Sequence, residues 1–167
     1  MSFPLGEVRD PFGLARMFAR LTAPRMAPGP VVRVHRRIYL LTGGRIGHGV
    51  FGAPILLLHT VGRRSGLRRS TPLVYGADGG TLVVVASNGG RRAPGWLANL
   101  RANPEAEVWI ARYKAKGRAR VIEPGDVGYE RLWELMDEVN FGRYEHLKTS
   151  VGVPMPIVVI SPLPDTP

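Results

Sequence analysis

Cysteine is absent from the 167-residue chain, and its four histidines show no HxH or HExxH spacing. The first absence excludes disulfide frameworks, thiolate metal sites and cysteine nucleophiles, and it is compatible with a reducing compartment. Because the histidines lack ligand spacing, we expect no bound metal. No apolar stretch approaches the ~18 to 20 residues that a membrane span needs. Arg9 and Asp10 interrupt the start, which lacks a signal-peptide core, so we expect a cytoplasmic protein.

Acidic residues are scarce: 13 Asp and Glu stand against 23 Lys and Arg, which gives a formal net charge of +10. This balance favours an acidic partner, such as nucleic acid, anionic lipid or a polyanionic cofactor. An arginine-rich coding background is an alternative of equal weight, so charge serves only as support. Aromatic residues make up 8% of the chain and none lies in the basic segment 63–69. Since single-stranded nucleic acid is usually bound through interleaved aromatics, we expect no nucleic-acid partner.

Length and apolar content predict one folded core with a helical segment before it. A chain of 167 residues with 44% hydrophobic residues can bury a single core. Segments 10–21 and 31–41 carry apolar residues near helical spacing with arginines on another face. We expect residues 1–50 to pack on or beside the main domain, with peripheral contact to an anionic membrane as the alternative. The tail, 163–167, is expected to fray.

The segment 62–72, GRRSGLRRSTP, is the first part of a candidate anion site. Two glycines flank Arg63, Arg64 and Ser65, so we expect a tight turn whose consecutive backbone N–H groups form a nest. The arginines and hydroxyls supply further donors in the geometry that suits phosphate or carboxylate. The spacing matches neither a P-loop nor a dinucleotide-binding GxGxxG motif. A solvated basic turn is the alternative interpretation.

A valine-rich hairpin follows and leads into a short helix. Segments 72–76 and 81–87 are predicted strands, and the hairpin returns a second Gly-rich turn, 87–90, beside the arginine segment. Pro94 then favours the start of a helix that carries Trp96 on one face. A flat aromatic, small glycines and a cluster of cations are the parts needed to hold a planar ring with a phosphorylated tail.

The remaining elements complete a sheet with a helix against it. Further strands are predicted at 54–61, 106–111, 115–122 and 156–161. Asp126 is a candidate cap for a helix whose apolar stripe is ordinary core packing. That stripe consists of Tyr129, Leu132, Trp133, Met136 and Val139. A looser segment that contains Phe141, Tyr144 and His146 is expected over the site.

Six short motifs occur in a fixed order along the chain: GRRSG, RRSTPL, DGG, VVVASNGG, PGW and NLRANP. In this order and at this spacing they resemble the deazaflavin-dependent nitroreductase family, whose members use coenzyme F420 on a split β-barrel. The match runs from about Pro54 to Pro162. The resemblance implies a mainly β, α+β protein with flanking helices, and an FMN-binding-like split barrel over residues 51–162.

The resemblance also implies an F420H2-dependent oxidoreductase that delivers hydride from reduced deazaflavin to a quinone, nitroaromatic or enone. The phosphate and acidic tail would be held by Arg63, Arg64, Ser65, Arg69, Ser70 and Thr71. The deazaflavin would be lined by Leu73, Val74, Val85, Ala86, Ser87 and Asn88, and the site closed by Gly95, Trp96, Leu97, Ala98 and Asn99. Ser87 would hydrogen-bond the deazaflavin or the acceptor, and Tyr144 would orient the substrate or donate a proton; these are the candidate catalytic residues.

Two departures from the family pattern concern charge and substrate choice. The family's second turn commonly contains SKGG, whereas Asn88 stands in place of the lysine, and Arg91 or Arg92 is the candidate to replace its charge. Characterised nitroreductases have a triple-tyrosine pattern, of which only Phe141 and Tyr144 stand in register here. The acceptor is therefore less determined than the cofactor.

Other functions remain open on the sequence alone. An FMN-dependent reductase on the same barrel has the same needs for a ring pocket and a phosphate site. A non-catalytic carrier of deazaflavin, lipid or heme would differ from a reductase only in turnover. The sequence does not distinguish a monomer from a homodimer.

Overall fold

Six antiparallel strands close into a barrel in the computed structural model, which describes residues 3, 53–90, 93–111, 113–152 and 155–164. The strands are β1 Ile55–Val61, β2 Arg68–Asp78, β3 Thr81–Val85, β4 Glu105–Ile110, β5 Tyr113–Ile122 and β6 Ile157–Pro162; the helices are α1 Gly95–Ala102, α2 Tyr129–Val139 and α3 Arg143–Val151. Around the barrel the order is β1-β2-β3-β6-β5-β4, and β4 closes on β1. This architecture confirms the predicted barrel with flanking helices. The predicted N-terminal helices, Arg91 and Arg92 lie outside the described residues.

The barrel interior is filled by alternate side chains of each strand. Leu56 and Leu58 of β1 and Val108 of β4 are fully buried in this core. Trp109, next to Val108, lies on the outer face, as the two-residue period of a strand requires. The alternation predicted for this strand is therefore confirmed, and each strand offers one face to the core and one to the outside.

The two ends of the barrel are closed differently. At one end, α1 buries Trp96, Leu97 and Leu100 in the core. At the other end Phe3 is buried, and its backbone N–H donates to the Gly80 carbonyl at 3.2 Å. The interior is thus a packed core, and any ligand site must lie on its outside or at an opening between strands.

A second apolar layer covers the outside of β2, β3 and β6. Helix α2 buries Leu132, Trp133 and Met136 in this layer, which confirms the predicted stripe as core packing. The helix approaches β2 closely at Gly76, where a Cβ would lie 2.9 Å from the Met136 sulfur. Arg131 holds the far end of β2 through two hydrogen bonds to Asp78, at 2.8 and 2.7 Å.

The structure corrects three local predictions. Strand β2 begins at Arg68 rather than at residue 72, because β1 pairs with it as far as Val61. Asp126 does not cap α2: its carboxylate accepts the Glu123 N–H at 2.8 Å within a turn, and Gly128 is the N-cap. The segment expected to be loose after Phe141 is instead the helix α3.

Candidate cofactor-binding site

The barrel is split where β2 parts from β3. The two strands pair from Asp78 and Thr81 as far as Tyr75 and Val84. Beyond that point β3 continues beside β6, with Val85 opposite Ile157, and the first half of β2 continues beside β1. Because β2 and β3 are antiparallel, the start of β2 and the turn after β3 lie at the same end of the barrel. We call this opening the strand split; its borders are the loop 62–67, the start of β2, residues 86–90 and α1.

The backbone of β2 presents polar groups toward the strand split. Two hydrogen bonds mark the ends of its ladder with β1. At one end the Tyr75 N–H donates to the Pro54 carbonyl at 3.2 Å, and at the other the Gly62 N–H donates to the Leu67 carbonyl at 2.8 Å. Antiparallel pairs alternate, so the odd-numbered residues of this stretch bond to β1 and the even-numbered ones face the other way. Pro72 occupies one of the outward positions, where its missing N–H costs no ladder bond.

The loop 62–67 is a tight hairpin turn that uses its own backbone donors. Gly66 N–H donates to the Gly62 carbonyl at 2.8 Å, and Leu67 N–H donates to the Ser65 hydroxyl oxygen at 3.4 Å. Arg63 N–H donates to a side-chain oxygen of α1 at 3.1 Å. The Gly66, Leu67 and Arg63 N–H groups are therefore used within the protein. The predicted nest, which also involves the N–H groups of Arg64 and Ser65, stays a prediction.

The loop arginines divide into two groups. Arg63, Arg64 and Arg69 are exposed, and none of them forms an ion pair with any residue that the structure describes. Arg68 forms one, at 2.6 Å from a carboxylate oxygen of Glu107 on β4. These three exposed arginine side chains belong to the loop and the start of β2, which border the strand split, and no carboxylate that the structure describes neutralises them.

Asn99 links α1 to this loop. Its side chain is only 7% exposed and is the one polar group among the buried residues of α1. The Oδ1 atom accepts the Arg63 N–H at 3.1 Å, and Nδ2 donates to the Thr60 hydroxyl oxygen at 3.1 Å. Thr60, which the sequence did not single out, is 3% exposed and faces the same side of β1 as Leu58.

The predicted hydroxyl ligands point in different directions. Ser70 lies on the outer face of β2, where its hydroxyl is 2.7 Å from Nδ1 of the buried His59. The ring of His59 lies against Trp109, with centroids 4.5 Å apart. Thr71 is half-buried and faces the opposite side of the strand. The Ser65 hydroxyl closes the turn, so Thr71 is the hydroxyl of the three that forms no hydrogen bond with the part of the chain that the structure describes.

The residues predicted to surround the deazaflavin differ in burial. Exposed or half-buried ones border the strand split: Leu73, Val74, Ser87, Asn88, Gly95 and Ala98. Others have their side chains inside packed cores: Val85, Ala86, Trp96, Leu97 and Asn99. The ligand contacts of both sets stay predictions. The first set offers side chains at the surface of the split, whereas the second supports that surface from behind.

The turn after β3 explains the departure at Asn88. Asn88, Gly89 and Gly90 adopt positive φ values of 41°, 68° and 73° in succession. Asparagine tolerates this left-handed region better than lysine does. Helix α3 lies close to the turn, because a Cβ on Gly90 would be 3.1 Å from Leu147 Cδ1. Backbone conformation therefore favours asparagine here, at the loss of one cation beside the split.

Tyr144 lies in the outer apolar layer rather than among the loop arginines. Its side chain is 7% exposed and belongs to the same cluster as Trp133 and Val85. The ring centroids of Tyr144 and Trp133 are 6.2 Å apart. Burial, with a smaller contribution from Asp137, raises the pKa of Tyr144 above its ordinary value of 10.0. The hydroxyl therefore stays protonated at neutral pH, and its predicted catalytic role stays a prediction.

A closed antiparallel barrel with one strand split and a cationic loop beside it defines an FMN-binding-like split-barrel protein. The family model that matches, F420H(2)-dependent quinone reductase, covers residues 31–162. The chain belongs to this F420H(2)-dependent quinone reductase family.

Individual proteins agree with this assignment. An F420H(2)-dependent quinone reductase of Mycobacterium tuberculosis is 41% identical over 133 residues, which are 78% of this chain and 89% of that protein. A solved F420-H2 dependent reductase superimposes with a TM-score of 0.58 at 30% identity, covering 65% of this chain and 94% of the other. A second solved chain, described as a domain-swapped dimer, gives a TM-score of 0.60 at 30% identity over 81% of this chain and 100% of its own.

These comparisons confirm the prediction of an F420-dependent reductase on a split barrel. They name quinone reduction, so the broader nitroreductase label used for the resemblance is replaced by the quinone reductase family. They support F420 and give no support to FMN. Among the described residues, no helix is long and apolar enough to cross a membrane.

Proposed function

We propose that the strand split binds coenzyme F420 and that the reduced, bound coenzyme passes its electrons to a quinone. The observation that carries the proposal is the set of three exposed guanidinium groups, Arg63, Arg64 and Arg69, at the mouth of the split. Their unneutralised charge suits the phosphate and the acidic tail of this cofactor. The N–H groups of Gly62, Arg63 and Gly66 are bonded within the protein, so the exposed side chains are the main groups proposed for recognition.

The opposite part of the split suits a flat ring. Leu73 and Val74 are half-buried side chains on opposite faces of β2, and the main-chain groups of Val74 face the split. Gly95 and Ala98 on α1 are small, and a Cβ on Gly95 would meet nothing within 4 Å. A heteroaromatic ring with polar edges could therefore lie against apolar side chains while its edge bonds to the strand. These residues fit the ring and the polar ring edge of F420.

Bound F420 in its reduced form supplies a hydride. The chain's own contribution is to hold the acceptor nearby and to stabilise the charge that develops on its oxygen. Ser87 is half-buried at the border of the split, and we propose that its hydroxyl donates a hydrogen bond to that oxygen. We propose that the proton that completes the hydroquinone comes from water, because the Tyr144 side chain is buried in the outer apolar layer.

Nitroaromatics and enones are proposed as further acceptors. They share with quinones an electron-poor centre that accepts hydride. A panel of menadione, a nitroaromatic and a cyclic enone under equal conditions tests this range. Turnover confined to menadione would restrict the proposal to quinones.

Titration of the purified protein with F420, FMN and heme at matched salt tests the cofactor. We expect saturable binding of F420 and at least tenfold weaker binding of the other two. The F420-loaded protein, once reduced, should then be reoxidised by menadione, which is followed through the deazaflavin absorbance. Binding without reoxidation by any acceptor of the panel would favour a carrier, and preference for FMN or heme would overturn the proposal.

We also propose that the protein forms a homodimer. Support comes from the similar chain described as a domain-swapped dimer. The match covers 100% of that chain and 81% of this one. Light scattering coupled to gel filtration gives the mass directly. A single peak near the monomer mass of 18.3 kDa over a wide concentration range would contradict the proposal.

A further inference from the structure

The geometry points to Asn99 as a positioning residue that holds the arginine loop in its anion-binding form, rather than as a ligand of the cofactor. This inference rests on the proposed function of the strand split. In this role Asn99 fixes the position of the Arg63 backbone just after the end of β1. It thereby fixes the point from which the arginine side chains of the loop extend.

The first observation is that the amide of Asn99 is already used by the chain. Its oxygen accepts the Arg63 N–H at 3.1 Å and its nitrogen donates to the Thr60 hydroxyl at 3.1 Å. With 7% of the residue exposed, little of the amide is available to a ligand. A buried amide is costly unless it is hydrogen-bonded, so these two bonds explain why an asparagine is tolerated on the apolar face of α1.

The second observation is the place of Arg63 in the turn. Arg63 is the first residue after Gly62, and its N–H is not used by the bonds that close the turn within the loop. Without the Asn99 side chain this donor would be left without a partner at a half-buried position or would turn toward solvent. The turn would then have alternative conformations. The arginine side chains would then lose part of their preorganisation, because binding an anion would first require the loop to be ordered.

The third observation is that α1 is itself firmly placed. Trp96, Leu97 and Leu100, which surround Asn99 along the helix, are buried in the barrel core. The two hydrogen bonds of Asn99 therefore join the basic hairpin turn and the end of β1 to α1, which is fixed by its burial in the barrel core. Thr60 extends the link to the end of β1, so strand, loop and helix meet at one amide.

The test compares Asn99→Leu with Asn103→Leu in the full-length protein. Leucine has nearly the shape of asparagine but makes no hydrogen bonds. Asn103 is a matched control because it follows the last residue of the same helix, and its side chain also accepts a backbone N–H, that of Glu105 at 3.1 Å. It is exposed, and this bond goes to β4 rather than to the loop. Dissociation constants for oxidised F420 come from titration, and the exchange of the Arg63 amide hydrogen comes from NMR or mass spectrometry.

We expect Asn99→Leu to weaken F420 binding about 5- to 20-fold and to speed Arg63 amide exchange at least tenfold, while Asn103→Leu stays within twofold for both. Asn99→Asp keeps an oxygen for the Arg63 N–H, so it should retain the slow exchange that Asn99→Leu loses. This rescue would not occur if Asn99 only filled space. Should Asn99→Leu fail to fold, Thr60→Val, which removes one anchor of the amide, should shift both readouts in the same direction.

The outcomes separate the inference from the proposed function. Wild-type protein that binds F420, together with Asn99→Leu that binds it equally well or shows unchanged Arg63 exchange, would overturn the positioning role alone. Wild-type protein that does not bind F420 would overturn the proposed function and, with it, this inference. Weaker binding without faster exchange would assign Asn99 to the ligand and would also overturn the positioning role.

Discussion

Replacement of Arg64 and Arg69 together by alanine should weaken F420 binding without unfolding the protein. Both side chains are exposed, and neither makes an ion pair with a described residue, so the fold does not depend on their charge. Arg68 provides the matched control. It lies between these two in the same segment, but its guanidinium is bonded to Glu107 at 2.6 Å.

The size of the effect follows from the exposure of the two groups. A solvent-exposed ion pair contributes about 0.2 to 1 kcal/mol, because water screens the charges and two flexible side chains must be ordered. Two such contacts give roughly 0.4 to 2 kcal/mol for the pair, which corresponds to a dissociation constant about 2- to 30-fold higher. Arg68→Ala removes a charge that Glu107 already neutralises, and we expect a change of less than about twofold.

Titration at low salt and again near 1 M salt measures both the affinity and its electrostatic part. The difference between wild type and the Arg64 and Arg69 double variant should shrink at high salt, where the screening length falls to roughly 3 Å. Equal losses for Arg68→Ala and the double variant would refute the division of the arginines into those without an ion pair and the paired Arg68. An unchanged affinity in the double variant would remove the cationic mouth from the proposal altogether.

Three further predictions concern stability and the role of Tyr144. Gly117→Val should lower the free energy of unfolding by about 1 to 3 kcal/mol, because a Cβ there would lie 2.6 Å from the Ile160 side chain and 2.9 Å from the Ser161 carbonyl oxygen. Thermal melting measures this change. Gly95→Ala is the control, because a Cβ at Gly95 would have no atom within 4 Å. Arg131→Met should lower the melting temperature at pH 7 but not near pH 2. The hydrogen bond from Arg131, assisted by its charge, holds the pKa of Asp78 below its ordinary 3.8, so that stabilisation exists above this pH and is lost as the folded carboxyl protonates; an equal loss at both pH values would contradict the linkage. Tyr144→Phe should leave menadione turnover within about twofold, since the ring is packed against Trp133, and a loss of 50-fold or more would restore the catalytic role.

The strands and the barrel class were accessible from the sequence because their signals are local. The valine-rich run of β3 and the stripe of α2 follow from periodicity, and Pro94 marks the start of α1 within one residue. The length of β2 was less accessible, since its first residues are charged and become a strand only because β1 lies beside them. A tertiary partner here overrides a composition that is typical of a loop.

The make-up of the site depends on which face of β2 each side chain occupies. The sequence reveals that face only once the strand boundaries are known. Once β2 is seen to begin at Arg68, the two-residue period of a strand places Arg68 and Ser70 on one face and Arg69 and Thr71 on the other. Outer-face residues of this stretch meet partners within the fold, Glu107 for Arg68 and His59 for Ser70. The inner-face pair has no ion pair or hydrogen bond of this kind with the described residues. Under the proposed function, this segment of four polar residues therefore serves both the fold and the ligand, and the register of β1 on β2 decides which residues serve the fold and which the ligand. A variant that shifted this register by one residue would exchange the two faces, leaving the composition of the loop unchanged while moving its free charge away from the strand split.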